Sequence, residues 1–199
     1  MTSDEASVIG RRGSYAKGVA RRREILDRAI EVFAERGAHG TSLRQIAQAI
    51  GVSHAALLHY FDSREQLLVA VYEHAENTRD TAQEHPEFGA VDLMVDAATE
   101  NVRVPGMVQL YSTLVAAALE AGSDDGKTFF SARFDTVRDD LTALLRRDQA
   151  AGLVRSDVDA EEMASLLVAA SDGLQIQWLL KPSIRLESTL RTFATLLQP

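Results

Sequence analysis

The chain has 199 residues, 46% of them apolar and 25% charged, which is the composition of an ordinary globular protein with enough length to bury a core. It contains no cysteine, so disulfide bridges and thiolate metal sites are excluded. No apolar segment follows the N-terminus and the longest apolar runs are too short to cross a bilayer, so the sequence predicts a cytoplasmic protein with no membrane partner.

The charge is unevenly distributed along the chain. Residues 1–64 hold ten Lys/Arg and seven Asp/Glu, a net charge of +3, whereas residues 65–199 hold eleven and twenty-two, a net charge of -11. Because attraction to phosphates is screened beyond about 8–10 Å, the local charge decides whether nucleic acid can bind. The basic N-terminal part is therefore a candidate for nucleic-acid contact despite the overall charge of -8.

Residues 1–16 contain Ser, Gly and Arg without periodicity and are predicted to be a disordered basic arm. Its Arg11, Arg12 and the adjacent Lys17 are either solvated or lie along phosphates or a minor groove. A helix is predicted next, over about 18–37, and its apolar face consists of Ile25, Ala29, Val32 and Phe33.

Residues 41–64 predict two short helices joined by a tight turn. Ser42 and Gln45 form a capping-box pattern at the start of the first helix, and Gly51 is placed to end it. The pattern is typical of a helix-turn-helix, whose second helix would fit a major groove about 12 Å wide. A helical hairpin that only packs within the protein gives the same pattern, so this alternative stays open. A fourth helix is predicted to begin at Ser63, with Gln66 as its capping partner.

The segment ILDRAIEVFAERGAHGTSLRQIAQAIGVSHAALLHYFDSREQLL resembles the N-terminal domain of the tetracycline-repressor-like (TetR) family of bacterial transcriptional regulators. The resemblance covers about residues 20–70, and at Leu58 to Phe61 the order of aromatic residues and histidine departs from the family pattern. The motifs that carry it are Ala29 and Phe33, Gly37, Gly40-Thr41-Ser42, Ile46-Ala47, Gly51-Val52-Ser53, Tyr60-Phe61 and Ser63-Arg64.

The resemblance implies a homodimer that binds a palindromic double-stranded DNA operator and is released by a small-molecule effector. Four residues would face base edges: Arg44, His54, Ala55 and Ala56. Arg44 could pair with guanine. Five others would hold phosphates: Thr41, Ser42, His59, Tyr60 and Arg64. An activator, or a ligand-binding or protein-interaction module, remains the alternative.

The rest of the chain predicts further helices and no strands, so the fold class is all-α with about nine helices. We expect a helix-turn-helix domain over residues 17–63 and a ligand-binding and dimerisation domain over 64–199. Its helices are predicted over about 90–102, 105–120, 127–151 and 159–180, followed by a ninth that carries Leu186, Leu190, Phe193 and Leu197.

The helix over 159–180 is apolar around more than half of its circumference, which requires cover on two sides. We expect a homodimer in which the last two helices of each subunit form a four-helix bundle. A core helix of a monomer is the alternative.

The candidate ligand-binding residues are apolar or aromatic, with two amides as polar anchors, which favours an uncharged or mostly apolar effector. They are Met94, Met107, Tyr111, Phe130, Phe134, Gln175, Gln177 and Trp178. The sequence has no paired-histidine metal motif, no P-loop, no dinucleotide fingerprint and no nucleophile elbow. It therefore predicts no enzymatic activity, no cofactor and no metal.

Overall fold

The computed structural model describes residues 4–36, 42–78, 87–120 and 124–199, with side chains for 17–33, 42–76, 87–120 and 126–199. These residues contain helices and no strands, which confirms the predicted all-α class. The ten helices of the described residues are α1 Asp4–Arg36, α2 Leu43–Ala49, α3 His54–Leu58, α4 Arg64–Thr78, α5 Ala90–Arg103, α6 Met107–Ala118, α7 Asp124–Ala150, α8 Ala160–Leu180, α9 Leu186–Leu190 and α10 Thr192–Leu196.

The chain divides into two compact units between residues 79 and 80, not between 63 and 64 as the sequence suggested. Helix α4 belongs to the first unit because its apolar stripe, which includes Leu67 and Leu68, is buried and packs toward α1. His74 of α4 and Asp27 of α1 also meet, with 2.7 Å between Nε2 and Oδ1. The described residues of the first unit therefore form four helices.

Helix α1 begins at Asp4, fourteen residues before the predicted start at 18. Residues 4–16 thus have a helical backbone, which corrects the prediction of a disordered arm over residues 1–16. The first proline of the chain is Pro86, so nothing in this stretch removes a backbone donor.

The second unit is built around α8, which lines two buried apolar clusters. One cluster joins Met94 of α5 and Leu145 of α7 to Leu167 of α8. The other joins α5 to Leu190 of α9, with Trp178 of α8 packed against it. Helix α8 therefore packs one face, which includes Ala164, Leu167 and Gln175, against the other helices of its unit, while Leu166, Ile176 and Leu180 stay exposed.

By length and hydropathy α8 is the one helix among the described residues that could cross a membrane, with a mean hydropathy of 1.2 over its best window. A core helix of a soluble protein has the same composition. Helix α8 packs against α5, α6, α7 and α9 and holds the polar side chains of Ser171 and Gln175 buried. These contacts indicate a core helix.

The single C-terminal helix predicted from the sequence is divided at Arg191 into α9 and α10. Hydroxyl groups in this stretch bond to the backbone: Thr189 Oγ1 donates to the Arg185 carbonyl at 2.7 Å and Thr192 Oγ1 to the Ser188 carbonyl at 3.4 Å. Such bonds compete with the helical backbone ladder and bend it. After the break, the Ala194 amide bonds to the Arg191 carbonyl with the tighter three-residue spacing.

Candidate nucleic-acid interface and ligand site

The first turn of α2 is fixed by the predicted capping box. Ser42 Oγ accepts a hydrogen bond from the Gln45 amide at 3.3 Å, and Gln45 Oε1 accepts one from the Ser42 amide at 2.8 Å. Both residues are exposed, and so is Arg44 on the same turn. The box therefore positions Ser42 and Arg44 at an exposed helix N-terminus, where backbone donors favour an anion.

The turn between α2 and α3 depends on Gly51, whose φ of +73° is the left-handed conformation that favours glycine. The Val52 amide then donates to the Ala47 carbonyl at 2.9 Å, which closes the C-terminal end of α2. Arg28 of α1 adds a second contact, because its Nη1 donates to the Ile50 carbonyl at 3.3 Å. The side chain of Leu57 on α3 is 0% exposed, so the two helices cross over a closed apolar contact.

Helix α3 is short, and a cap on one end and burial of one residue fix its orientation. Ser53 Oγ accepts from the Ala56 amide at 3.0 Å. Ala55 and His59 are exposed on the face opposite the buried Leu57, and His54, at the first position of the helix, is exposed as well. This face carries small and polar groups that can approach a base edge closely.

Helix α4 starts beside this surface in the same unit. Ser63 Oγ accepts from the Gln66 amide at 2.9 Å, while Gln66 Oε1 reaches the Asp62 amide at 2.7 Å, one residue earlier than the predicted box. Arg64 is therefore the first residue of a capped helix. Tyr60 is half-buried and its ring meets the His59 ring edge to face, with centroids 5.0 Å apart.

The structure thus brings Ser42, Arg44, His54, Ala55, Ala56, His59, Tyr60 and Arg64 onto one four-helix unit, with Ala56, Tyr60 and Arg64 less exposed than the others. Thr41 lies outside the described residues. Two short capped helices that cross at a glycine turn, the second with an exposed outer face, constitute a helix-turn-helix. The signal in the sequence was strong here because each cap and turn involves residues close together in the chain.

Comparison with known proteins agrees with this geometry. Residues 25–71 match the family model described as bacterial regulatory proteins, tetR family, and residues 103–178 match the model for the C-terminal domain of SbtR-like transcriptional regulators. The HTH-type transcriptional repressor Rv1474c of Mycobacterium tuberculosis is 31% identical over 156 residues, which cover 78% of this chain and 80% of the relative.

Two solved structures share the fold. Salmonella enterica GusR matches with a TM-score of 0.66 and 27% identity, over 87% of this chain and 93% of that chain. A TetR transcription regulator from Haloarcula marismortui matches with a TM-score of 0.73 and 21% identity, over 89% and 95% of the two chains.

The fold, the helix-turn-helix and these relatives define a DNA-binding transcriptional regulator, not an enzyme. The chain belongs to the TetR family of bacterial regulatory proteins, as its sequence motifs predicted.

The candidate ligand residues fall in three different environments of the second unit. Met94 and Phe134 are part of the apolar cluster with α8, and Met107 is buried. Tyr111 and Phe130 meet edge to face with ring centroids 5.8 Å apart. Trp178 and Gln175 lie one turn apart on α8, Trp178 half-buried and Gln175 buried.

Gln177 is placed differently from the other candidates. It is exposed, because two residues along an α-helix turn by about 200° and Gln175 faces the interior. The structure therefore corrects its assignment as a polar anchor beside Gln175.

The sequence reasoning missed four polar residues that pair inside this unit: Asn101, Arg133, Ser171 and Asp172. Tyr111 donates its hydroxyl to Asp172 Oδ2 at 2.9 Å, and the Arg133 guanidinium carbon lies 5.3 Å from the centroid of the Tyr111 ring. Burial raises the pKa of the Asp172 carboxyl above its ordinary value, against the opposing effects of the Tyr111 hydrogen bond and the Arg133 charge. No motif spacing could have revealed a pair that lies 61 residues apart.

Proposed function

We propose that this regulator is a homodimeric repressor that binds a palindromic operator in the bacterial cytoplasm and is released by a small molecule. The observation that carries the proposal is the exposed outer face of α3, held by the Ser53 cap and by the burial of Leu57. A dimer would place two such helices in successive major grooves about one helical turn of DNA apart.

The exposed positions support a division between base contacts and phosphate contacts. Arg44, His54 and Ala55 lie in the first turns of α2 and α3, where side chains reach base edges, and Ala56 completes this set. Ser42, His59, Tyr60 and Arg64, together with Thr41, are assigned to phosphates. Arg64 is suited to that role because it stands at a helix N-terminus, where an anion is also attracted by the backbone.

An apolar stripe on α8 supports the homodimer. Three of its side chains are substantially exposed: Leu166 at 55%, Ile176 at 48% and Leu180 at 83%. Ala169 and Gly173 fall between them at the three- and four-residue spacing of one helix face. We define these five residues as the α8 stripe and propose that the α8 stripe of a second copy covers it.

The last helices would contribute less to the dimer than the sequence suggested. Their apolar residues Leu186, Leu190 and Leu197 are buried within the protomer, and Leu196 of α10 is the large apolar side chain they leave exposed among the described residues. The interface we propose is therefore centred on α8, with Leu196 at its edge.

An effector would act by binding one conformation of the dimer better than another, since equal affinity for both would shift nothing. In the second unit, the Tyr111–Phe130 ring pair supplies apolar rings for an effector site. Apolar rings with a few placed polar groups are typical of small-molecule sites.

The test of the DNA-binding proposal is selection of the purified full-length protein against a randomised duplex library at moderate salt, followed by sequencing of the bound fraction. We expect a palindrome whose half-sites are about 10 base pairs apart. The double variant Arg44→Ala/His54→Ala should lose this enrichment. Arg185→Ala, which removes an exposed arginine from the second unit, is the matched control and should keep it.

A promoter that carries the selected palindrome then tests repression. Expression should rise when the regulator gene is deleted, and a fall would identify an activator instead. Failure to enrich any palindrome would contradict the proposed dimer.

A further inference from the structure

In the side-chain amide of Asn101 on α5, the nitrogen is hydrogen-bonded and the oxygen is not. Its Nδ2 donates to Gln175 Oε1 on α8 at 2.9 Å. Its Oδ1 is buried and has no hydrogen-bond partner among the described residues. Buried carbonyl oxygens are nearly always paired, because leaving one unpaired costs folding free energy, so this atom requires an explanation.

The orientation of the Asn101 amide follows from the hydrogen bonds behind it. Gln175 Nε2 donates to the Ser171 carbonyl at 3.3 Å and to Ser171 Oγ at 3.2 Å. A backbone carbonyl only accepts, so the amide nitrogen of Gln175 must face Ser171 and its oxygen must face Asn101. Asn101 must then present its nitrogen to that oxygen. The unpaired atom is therefore an oxygen, and the partner it lacks is a hydrogen-bond donor.

The neighbours of Asn101 and Gln175 along their helices are apolar, or charged and already paired. Val102, the neighbour of Asn101, and Leu174 and Trp178 of α8 pack against one apolar cluster. One turn before Gln175, the Asp172 carboxylate already accepts from Tyr111 and interacts with the Arg133 charge. Glu100, which directly precedes Asn101, is paired with Arg103, so these neighbouring charges already have partners within the protein.

We infer that Asn101 Oδ1 is the acceptor through which this regulator recognises its effector, and that the effector is an uncharged, largely apolar molecule carrying an N–H or O–H donor. The inference rests on the proposed release by a small molecule and names the chemical class of that ligand. A carboxylate would bring acceptor oxygens against Oδ1, and an ether would leave Oδ1 unpaired.

Compound pairs that differ only in the donor test the inference on the full-length protein. Suitable pairs are phenol and anisole, thymol and its methyl ether, and cyclohexanol and its methyl ether, with benzoate as the charged probe. Trp178 is the single tryptophan of the chain and lies one turn from Gln175, so its fluorescence reports binding near Asn101. We expect the hydroxyl member of at least one pair to bind about tenfold more tightly than its ether.

The variant Asn101→Leu should abolish this preference, so that hydroxyl and ether bind alike. Gln177→Leu removes an exposed amide from α8 and is the matched control, which should retain the tenfold ratio. The comparison within the wild-type protein does not depend on whether Asn101→Leu folds. Equal affinities within every pair, tighter binding of benzoate, or no saturable binding by any compound would each overturn the inference, and the last result would leave a water molecule as the partner of Oδ1.

Operator binding, measured separately, distinguishes this inference from the function on which it rests. If a hydroxyl compound binds through Asn101 and leaves operator affinity unchanged, the acceptor assignment stands and the release by effector fails. If another molecule releases the operator equally from the wild type and from Asn101→Leu, the release stands and the acceptor assignment fails.

Discussion

Replacing Gly173 with leucine separates packing within a protomer from packing between two protomers. A Cβ atom built at this position meets no heavy atom within 4 Å, so a side chain can start there without a clash inside the protomer. Glycine in a helix interior costs about 1 kcal/mol relative to alanine, and leucine is nearly as good a helix former as alanine. The folding of the isolated protomer should therefore gain roughly 0.5–1 kcal/mol.

The dimer should respond in the opposite direction. Gly173 lies in the middle of the α8 stripe. In a two-fold interface each subunit contributes this residue, so the substitution places two leucines in the interface. Overpacking costs about 1–3 kcal/mol per site, so the two leucines should make the free energy of dimerisation less favourable by about 2–6 kcal/mol. Each 1.4 kcal/mol is a factor of ten, so the dissociation constant should rise by at least roughly thirtyfold.

Sedimentation equilibrium gives the dimer dissociation constant, and urea unfolding at a fixed protein concentration gives the stability. Gly18→Leu is the matched control, because Gly18 is also helical and also has no neighbour within 4 Å of a built Cβ. The control should leave dimerisation unchanged. If Gly173→Leu dimerises as tightly as the wild type, the α8 stripe is not the interface.

Three further predictions concern DNA contacts, capping and titration. Arg44→Ala should relax the sequence preference at one base pair of the operator. Arg64→Ala should instead lower the affinity for all DNA sequences alike and reduce the slope of log affinity against log salt by about one. If both variants lose affinity uniformly across a series of operator sequences, Arg44 does not contact a base. Ser53→Ala removes the α3 cap and should lower the free energy of unfolding by about 1 kcal/mol in urea titrations, and an unchanged midpoint would show the cap to be unimportant. Burial raises the pKa of Asp172, so the folded state binds its proton more tightly and ionisation destabilises the fold as the pH rises above the ordinary value of 3.8. Asp172→Asn, whose amide oxygen can still accept from Tyr111, should therefore gain stability over the wild type near neutral pH and lose that gain toward pH 3.8 and below; a difference independent of pH would refute this.

The features that the sequence predicted well are those in which the interacting residues are near each other in the chain. The Ser42–Gln45 box and the Ser53 cap each join residues three apart, so a short pattern contains the whole interaction. The Gly51 turn is equally local, and the apolar pattern of α8 anticipated a helix, of which one face is buried in the protomer. These signals were sufficient for the fold class and the helix-turn-helix.

The features that it missed depend on distant residues or on competition between similar energies. Asn101 and Gln175 are 74 residues apart, and nothing in either segment identifies the other as a partner. The last helix is divided at Arg191, where hydroxyl groups bond to backbone carbonyls. These bonds compete with the helical hydrogen bonds, and the divided and continuous helices are close in free energy. A helical pattern encodes neither the long-range pairing nor the outcome of this local competition.

The packing of α4 on α1 determines where the DNA-binding part of this chain can be exchanged as a module. A fragment that ends at residue 63 would lose Leu67, Leu68, Val71 and Tyr72, all buried in the first unit. Burying four such side chains contributes about 6–12 kcal/mol, which is comparable with the whole stability of a small domain. Recombination between family members that transfers operator specificity therefore requires a junction after residue 79, so that α4 travels with the helices that read the DNA.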